Sequence, residues 1–255
     1  MATLLVQPVF EPSMRSRGKA GFPVLITGPS TTGKSGLARH LMDVHGCEAI
    51  NSDKFYLYRG CQVGSLRNAL PASERDRCWL FGVLGPETHR WEAPIFCHEV
   101  RRVLGLVESR GALAVIEGCS FSYNSALLKS GLVRTAVALC WPPAFDLEAH
   151  LHERAGHLLS QGLVVETERL LARYPDHVYP LEKGVYYRNL VQYLRGRVSL
   201  EAAQEQIADQ LAEIAVDQLA RYRRETGLLW IEVDPNQPEA AQEHLLSKLG
   251  ATALE

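Results

Sequence analysis

Eight residues near the start of the chain have the types and the spacing of a phosphate-binding loop. They are Gly28-Pro29-Ser30-Thr31-Thr32-Gly33-Lys34-Ser35, a full match to the pattern G-x-x-x-x-G-K-[ST]. Gly28 and Gly33 let backbone N–H groups converge on phosphate oxygens, and Lys34 adds a positive charge. Ser35 can ligate Mg²⁺, and the following helix points its positive end at the anion. The motif therefore predicts a diphosphate site with Mg²⁺ as the cofactor.

A carboxylate follows the second apolar run of the chain. This run, residues 48–52, leads into the triplet Asn51-Ser52-Asp53. Because the carboxyl ends of parallel strands meet at one edge of a sheet, we expect Asp53 to lie beside the phosphate loop. It could act as a general base, cap the turn that follows it, or lie in the outer coordination shell of Mg²⁺.

Alternating apolar and amphipathic runs must position these groups. The predicted strands are 24–27, 48–52, 112–116, 135–141 and 228–233, and the predicted helices are 34–44, 97–110, 147–161, 165–173, 200–224 and one after Pro238. Ser199 has the type and place of a helix N-cap, and residues 60–90 are predicted to be irregular. This order predicts an α/β fold, a P-loop NTPase-like doubly wound parallel sheet with a helical C-terminal layer. We expect a flexible leader over 1–20 and a single domain over 21–255, with its helix-rich part at about 146–226.

Composition is that of a soluble enzyme. The 255 residues carry a net charge of −2, with 46% hydrophobic and 22% charged residues. The six cysteines are scattered and form no C-x-x-C pair, which favours reduced thiols and a cytoplasmic location over disulfides or a zinc site. No apolar run approaches the ~20 residues of a transmembrane helix, so no membrane contact is expected.

Several segments, taken in order, resemble the isopentenyltransferase (dimethylallyltransferase) family. The resemblance is closest to the short adenylate isopentenyltransferases, which are related to tRNA dimethylallyltransferases. Beyond the phosphate loop, the similar segments are Ala49–Gly60, Val115–Ser120, Gln161–Arg173, Val185–Arg188 and Tyr193–Ala203. Together they span about residues 22–235.

The resemblance implies that the loop holds the diphosphate of dimethylallyl diphosphate as a leaving group. The exocyclic N6 of an adenine would attack the prenyl carbon, with Asp53 as the general base. Ser30 stands where the family usually has Thr, and its hydroxyl would face the reacting centre. Arg188 would contact the diphosphate, and Ser120 and Ser122 would contact the acceptor.

The length of one connection bears on the acceptor. The tRNA-modifying members carry a helical insertion of several dozen residues, and the short stretch between Ser120 and Asp146 has no room for it. With the net charge of −2, this favours AMP, ADP or ATP as acceptor, as in cytokinin biosynthesis, and argues against tRNA. Ser30, Cys119 and Tyr186 depart from the family pattern, and Cys119 and Tyr186 do so at glycines. These changes leave open a divergent adenylate enzyme, a relative that prenylates tRNA or another amine, or one that has abandoned prenyl transfer.

Two alternatives outside prenyl transfer also fit the motif. An ATP-dependent small-molecule kinase would use the same loop for ATP and Asp53 as base toward a hydroxyl. A nucleotide-binding regulator would use the loop without chemistry and would need no base.

Overall fold

Six short parallel strands form one sheet in this computed structural model, which describes residues 23–64, 72–174 and 177–235. The strands are β1 (Val24–Thr27), β2 (Glu48–Asn51), β3 (Cys78–Trp79), β4 (Ala114–Glu117), β5 (Thr135–Cys140) and β6 (Leu229–Glu232). Their spatial order is β3-β2-β4-β1-β5-β6, and every pair is parallel. The predicted parallel α/β sheet is therefore confirmed.

Nine described helices accompany these strands, and five of them lie between β5 and β6 in the chain. They are α1 (Lys34–His45), α2 (Ala72–Arg75), α3 (Ala93–Ser109), α4 (Phe121–Lys129), α5 (Leu147–Ser160), α6 (Leu163–Arg173), α7 (Tyr179–Lys183), α8 (Val185–Leu194) and α9 (Leu200–Tyr222). Ser199 caps α9 as predicted, because its Oγ accepts a hydrogen bond from the Ala202 N–H at 3.1 Å. Within the described ranges, no helix combines the length and the apolar character that crossing a membrane requires.

Alternate residues of the strands enter two separate cores. Leu25 points into a core built largely by α3 to α9, whereas its neighbour Ile26 packs against α1. This alternation follows from the two-residue period of a strand and explains why the central strands are apolar throughout. The helices from α5 to α9 thus form the predicted C-terminal layer on one face of the sheet, with α9 packed against α5 and α8.

The structure corrects several boundaries. The region 60–90 was predicted to be irregular, yet its described part contains α2 and the edge strand β3, which pairs with β2. A two-residue strand shows no periodicity, so the sequence carried no signal for it. Helix α4 begins directly after Ser120, in a segment predicted only as a turn. The predicted leader and the helix after Pro238 lie outside the described residues, and the single domain over 21–255 stays a prediction.

Candidate active site

Three loops leave adjacent strands at the same edge of the sheet. They follow β1, β4 and β2, which are neighbours in the order β2-β4-β1. Gly28 makes one close approach possible, since its φ is +118° and a Cβ there would lie 2.2 Å from the Leu139 carbonyl oxygen. Gly118 allows another, because a Cβ there would lie 2.7 Å from the Asp53 nitrogen. The glycines thus bring three chain segments within reach of one ligand.

The phosphate loop is held by its own side chains. The Thr32 hydroxyl donates to the Pro29 carbonyl at 3.1 Å, and the Thr31 hydroxyl donates to the Ser30 carbonyl at 2.6 Å. Lys34 Nζ donates to the Pro29 carbonyl and, at 3.2 Å, to Thr32 Oγ1. Burial lowers the pKa of Lys34, which is opposed by the charge of Glu117 and Asp53 nearby. The loop therefore holds a buried cation where the motif predicts a diphosphate.

Both carboxylate oxygens of Asp53 accept hydrogen bonds. The Asn51 side chain first shapes the turn, accepting from the Asp53 N–H at 2.7 Å and donating to the Asp53 carbonyl at 2.9 Å. Asp53 Oδ1 then accepts from the Phe55 N–H at 2.9 Å, at the start of a 3₁₀ turn over Phe55–Leu57. Its Oδ2 accepts from the Cys119 thiol at 2.7 Å. Asp53 thus caps a turn with one oxygen while it lines the cavity beside the phosphate loop.

Two oxygen ligands suited to Mg²⁺ lie next to the loop. Glu117, at the end of β4, accepts a hydrogen bond from the Ser35 hydroxyl at 3.2 Å. Burial raises the pKa of Glu117 to about 7, while Lys34 and the Ser35 hydroxyl oppose the shift. Mg²⁺ sites commonly use one or two carboxylates together with substrate phosphates, so this pair fits the predicted ion. Among the described residues, no three His, Cys, Asp or Glu side chains cluster as a preformed metal cage.

One cavity connects these groups with side chains from the helical layer. Its sheet-edge lining is Ser30, Thr31, Gly33, Lys34, Ser35, Asp53, Lys54, Glu117, Cys119 and Ser120. Much of the remaining lining is apolar or aromatic, and the set is Phe55, Tyr56, Cys61, Val185, Tyr186, Tyr187, Leu211 and Ile214, together with the polar side chains of Arg154 and Gln218. The phosphate loop and a set of apolar side chains thus line the same cavity. An amphipathic ligand with an anionic end and a hydrocarbon end would match this arrangement.

Not every predicted site residue reaches the cavity. Arg188 lies on the face of α8 that meets α9, where it donates to Gln210 Oε1 at 2.6 Å and 3.1 Å. Its neighbours Tyr186 and Tyr187 line the cavity, and one step along a helix turns a side chain away by about 100°. Ser122 is exposed on α4 and does not line the cavity. The predicted contacts of Arg188 and Ser122 with substrates stay predictions that this geometry does not support.

The structure also brings in residues that the sequence analysis missed. Arg154 of α5 lines the cavity, and its Nε is buried without a hydrogen-bond partner in the described chain. Its position between Leu151 and Leu158 on the buried face of α5 was an available signal, because a charge in an apolar stripe is uncommon. Gln218 accepts from the Ser30 N–H at 2.8 Å and from the Ser30 hydroxyl at 3.0 Å. This contact closes α9 over the phosphate loop.

Comparisons with known proteins bear on the family. A family model described as IPP transferase matches residues 132–225. A tRNA dimethylallyltransferase of Geobacter metallireducens is 23% identical over 287 aligned positions, covering 82% of this chain and 92% of that protein. The corresponding enzyme of Moorella thermoacetica is 36% identical over 104 positions, covering 41% of this chain and 32% of that protein. These matches support the isopentenyltransferase family.

A solved structure shares the fold of this chain. The full-length tRNA isopentenylpyrophosphate transferase of Bacillus halodurans superposes with a TM-score of 0.73 at 18% identity, covering 92% of this chain and 98% of that one. At this identity the likeness supports the fold. The similar proteins described above are named for tRNA. None of these three is named as an adenylate isopentenyltransferase, so the narrower resemblance to that group is not supported.

The prediction against tRNA is therefore wrong as it stood. The similar proteins of Geobacter metallireducens and Bacillus halodurans both carry tRNA in their names. Net charge was a poor guide, because it sums the whole surface, whereas nucleic-acid binding depends on local clusters of Lys and Arg. Three arginines, Arg221, Arg223 and Arg224, lie at the end of α9 and just after it; Arg221 pairs with Asp217 at 2.8 Å, and Arg223 lies over the Trp230 ring.

Proposed function

We propose that this chain transfers a dimethylallyl group from dimethylallyl diphosphate to the exocyclic N6 of an adenine in tRNA, releasing diphosphate. The observation that carries the proposal is one cavity that is lined by the phosphate loop, by Asp53 and by apolar side chains. Prenyl transfer is supported by the IPP transferase match. The choice of tRNA rests on the names of the similar proteins.

The phosphate loop and the cations around it would bind the leaving group. Backbone N–H groups of the loop, Lys34 and Arg154 can surround a diphosphate with positive charge as the bond to carbon breaks. Mg²⁺ held by Ser35 and Glu117 would add further positive charge on the same oxygens. Burial strengthens these interactions, because water is kept out of the site.

Asp53 would serve as the base. The N6 nitrogen forms a bond to C1 of the prenyl group, and the C1–O bond breaks with its electron pair leaving on the diphosphate. The proton lost from N6 passes to Asp53. A positioned base contributes roughly 10²–10⁴-fold to such a step.

The apolar side chains of the cavity would bind the dimethylallyl group. Val185, Leu211 and Ile214 contribute aliphatic side chains to the cavity. Burying the branched five-carbon group against them is favourable at about 25 cal/mol per Å² of apolar surface.

A free adenine nucleotide is the second candidate acceptor. The alignment with the Geobacter metallireducens protein runs over 287 positions, more than the 255 residues of this chain. That relative therefore contains residues which this chain lacks, in keeping with the missing insertion noted in the sequence. Without that insertion, the aligned region presents less surface to a macromolecular acceptor.

Mass spectrometry of the products tests the proposal. The purified protein would be incubated with Mg²⁺, dimethylallyl diphosphate and, in separate reactions, unmodified tRNA, AMP, ADP and ATP. We expect one five-carbon unit to be added to an adenine of tRNA. Addition to a free nucleotide instead would establish the second candidate. Consumption of ATP with phosphorylation of a hydroxyl compound, and no prenylated product, would refute prenyl transfer in favour of a kinase.

Two matched variants locate the chemistry. Asp53→Asn should lower kcat by roughly 10²-fold or more while leaving the affinity for diphosphate unchanged. Asp209→Asn makes the same change at an exposed position of α9 and should retain full activity. Equal activity of the two variants would exclude Asp53 as the base.

A further inference from the structure

The Cys119 thiol contacts the carboxylate assigned as the base. Its Sγ lies 2.7 Å from Asp53 Oδ2, and the Ser30 hydroxyl lies 3.5 Å from the same sulfur. A carboxylate accepts hydrogen bonds only, so the thiol must be the donor in the first contact. The Ser30 hydroxyl has one proton, which it donates to Gln218 Oε1 at 3.0 Å. The short contact with Asp53 is therefore the one that defines the role of the thiol.

The backbone holds this sulfur in place. Gly118 packs against the turn after β2 so closely that a Cβ on it would lie 2.5 Å from the Ser52 carbonyl carbon. The carbonyl of Cys119 accepts from the Tyr222 hydroxyl of α9 at 3.1 Å. Tyr222 is itself fully buried and bonded to Asn124 at 2.9 Å. The thiol is therefore fixed from the sheet and from the helical layer together.

The thiol stays protonated in this environment. Burial raises the pKa of Cys119 to about 12, and the negative charge of Asp53 contributes to the shift. A neutral S–H group is a poor nucleophile but can donate a hydrogen bond. The 2.7 Å contact with Asp53 Oδ2 is in keeping with this, because a carboxylate there needs a donor.

We infer that Cys119 is a positioning residue, which holds Asp53 Oδ2 in the orientation needed to accept the proton of the attacking amine. Asp53 Oδ1 is already held by the Phe55 N–H at 2.9 Å, so the thiol fixes the remaining rotation of the carboxylate. One lone pair of Oδ2 is then left for the substrate. This inference rests on the proposed prenyl transfer, and it assigns to Cys119 a role in kcat rather than in binding.

Steady-state kinetics of three cysteine variants test it. Cys119→Ala removes the donor and should lower kcat about tenfold, with the KM for dimethylallyl diphosphate unchanged. Cys119→Ser keeps a donor of similar size and should recover most of the loss. Cys97→Ala deletes a partly buried thiol on α3, outside the cavity, and should match the wild type. Wild-type kcat in Cys119→Ala, or an equal loss in Cys119→Ser, would overturn the inference while prenyl transfer stands.

Infrared spectroscopy tests the same contact without catalysis. The S–H stretch absorbs in a region free of other protein bands, and hydrogen bonding lowers its frequency. Subtracting the spectrum of Cys119→Ser from that of the wild type isolates the Cys119 band. Asp53→Ala should move that band to higher frequency, and a band that does not move would overturn the inference. Absence of any prenylated product would refute the proposed function separately, because this spectrum does not depend on turnover.

Discussion

Replacing Glu166 by Gln should loosen the segment of residues 62–64, in which Gly64 lines the cavity. The carboxylate of Glu166, on α6, accepts hydrogen bonds from several backbone N–H groups of this segment. Its Oε2 accepts from the N–H groups of Gln62 at 2.6 Å and Val63 at 2.8 Å. Its Oε1 accepts from the Gly64 N–H at 3.3 Å and the Tyr187 hydroxyl at 2.9 Å. The segment depends on one side chain for three of its backbone donors.

The magnitude follows from the chemistry of the replacement. A Gln amide keeps one accepting oxygen and substitutes an NH₂ group that cannot accept from an N–H. Hydrogen bonds to a charged acceptor contribute about 1.5–3 kcal/mol each, and those to a neutral one about 0.5–1.5 kcal/mol. Because Gln62 is exposed and water can replace part of the loss, we expect the free energy of unfolding to fall by about 2 kcal/mol.

Urea unfolding and amide hydrogen exchange would measure this effect. Exchange at Gln62 and Val63 should accelerate by about 30-fold if the segment opens locally. Glu168→Gln is the matched control, because Glu168 lies on the same helix and is exposed. A change below about 0.5 kcal/mol in Glu166→Gln, indistinguishable from this control, would refute the claim that the carboxylate holds the segment.

Three further outcomes follow from the site. Gly28→Ala should destabilise the fold by about 3 kcal/mol or more in urea unfolding, because its Cβ would overlap the Leu139 carbonyl. Arg154→Met should weaken pyrophosphate binding about tenfold or more in calorimetry, without lowering the melting temperature, since it removes an incompletely paired buried cation. Stability in Mg²⁺-free buffer should fall as pH rises from 4.5 to about 7, because folded Glu117 keeps a proton that the unfolded chain releases. Glu117→Gln should flatten this slope, and an unchanged slope would contradict the assignment.

Much of the site's framework was predictable because its signals are local. The phosphate loop lies between an apolar run and an amphipathic helix, and these became β1 and α1 within a residue of their expected ends. Asp53 directly follows β2, so the edge rule for parallel sheets predicted its place beside the loop. Such short-range patterns carry their structural meaning without knowledge of the rest of the fold.

The remaining site residues depend on partners far away in sequence. The apolar stripe of α5 could mark Arg154 as unusual, but its entry into the cavity depends on how α5 packs on α9, and Arg188 packs on Gln210 instead. Cys119 was known as a departure from the family pattern, yet its contact with Asp53 depends on how closely β4 approaches β2. These distances are set by packing, so the sequence alone could not give them.

The contact between Ser30 and Gln218 has a consequence for how the protein is made. The two residues are 188 positions apart, so the ribosome releases the phosphate loop well before the helix that covers it. At about 5–20 residues per second, the nascent loop waits roughly ten seconds or longer for its cover. During that interval the apolar surface that α9 later buries is exposed to chaperones and proteases. Because synthesis proceeds from the N-terminus, the cavity is complete only after α9, the last described helix, has left the ribosome.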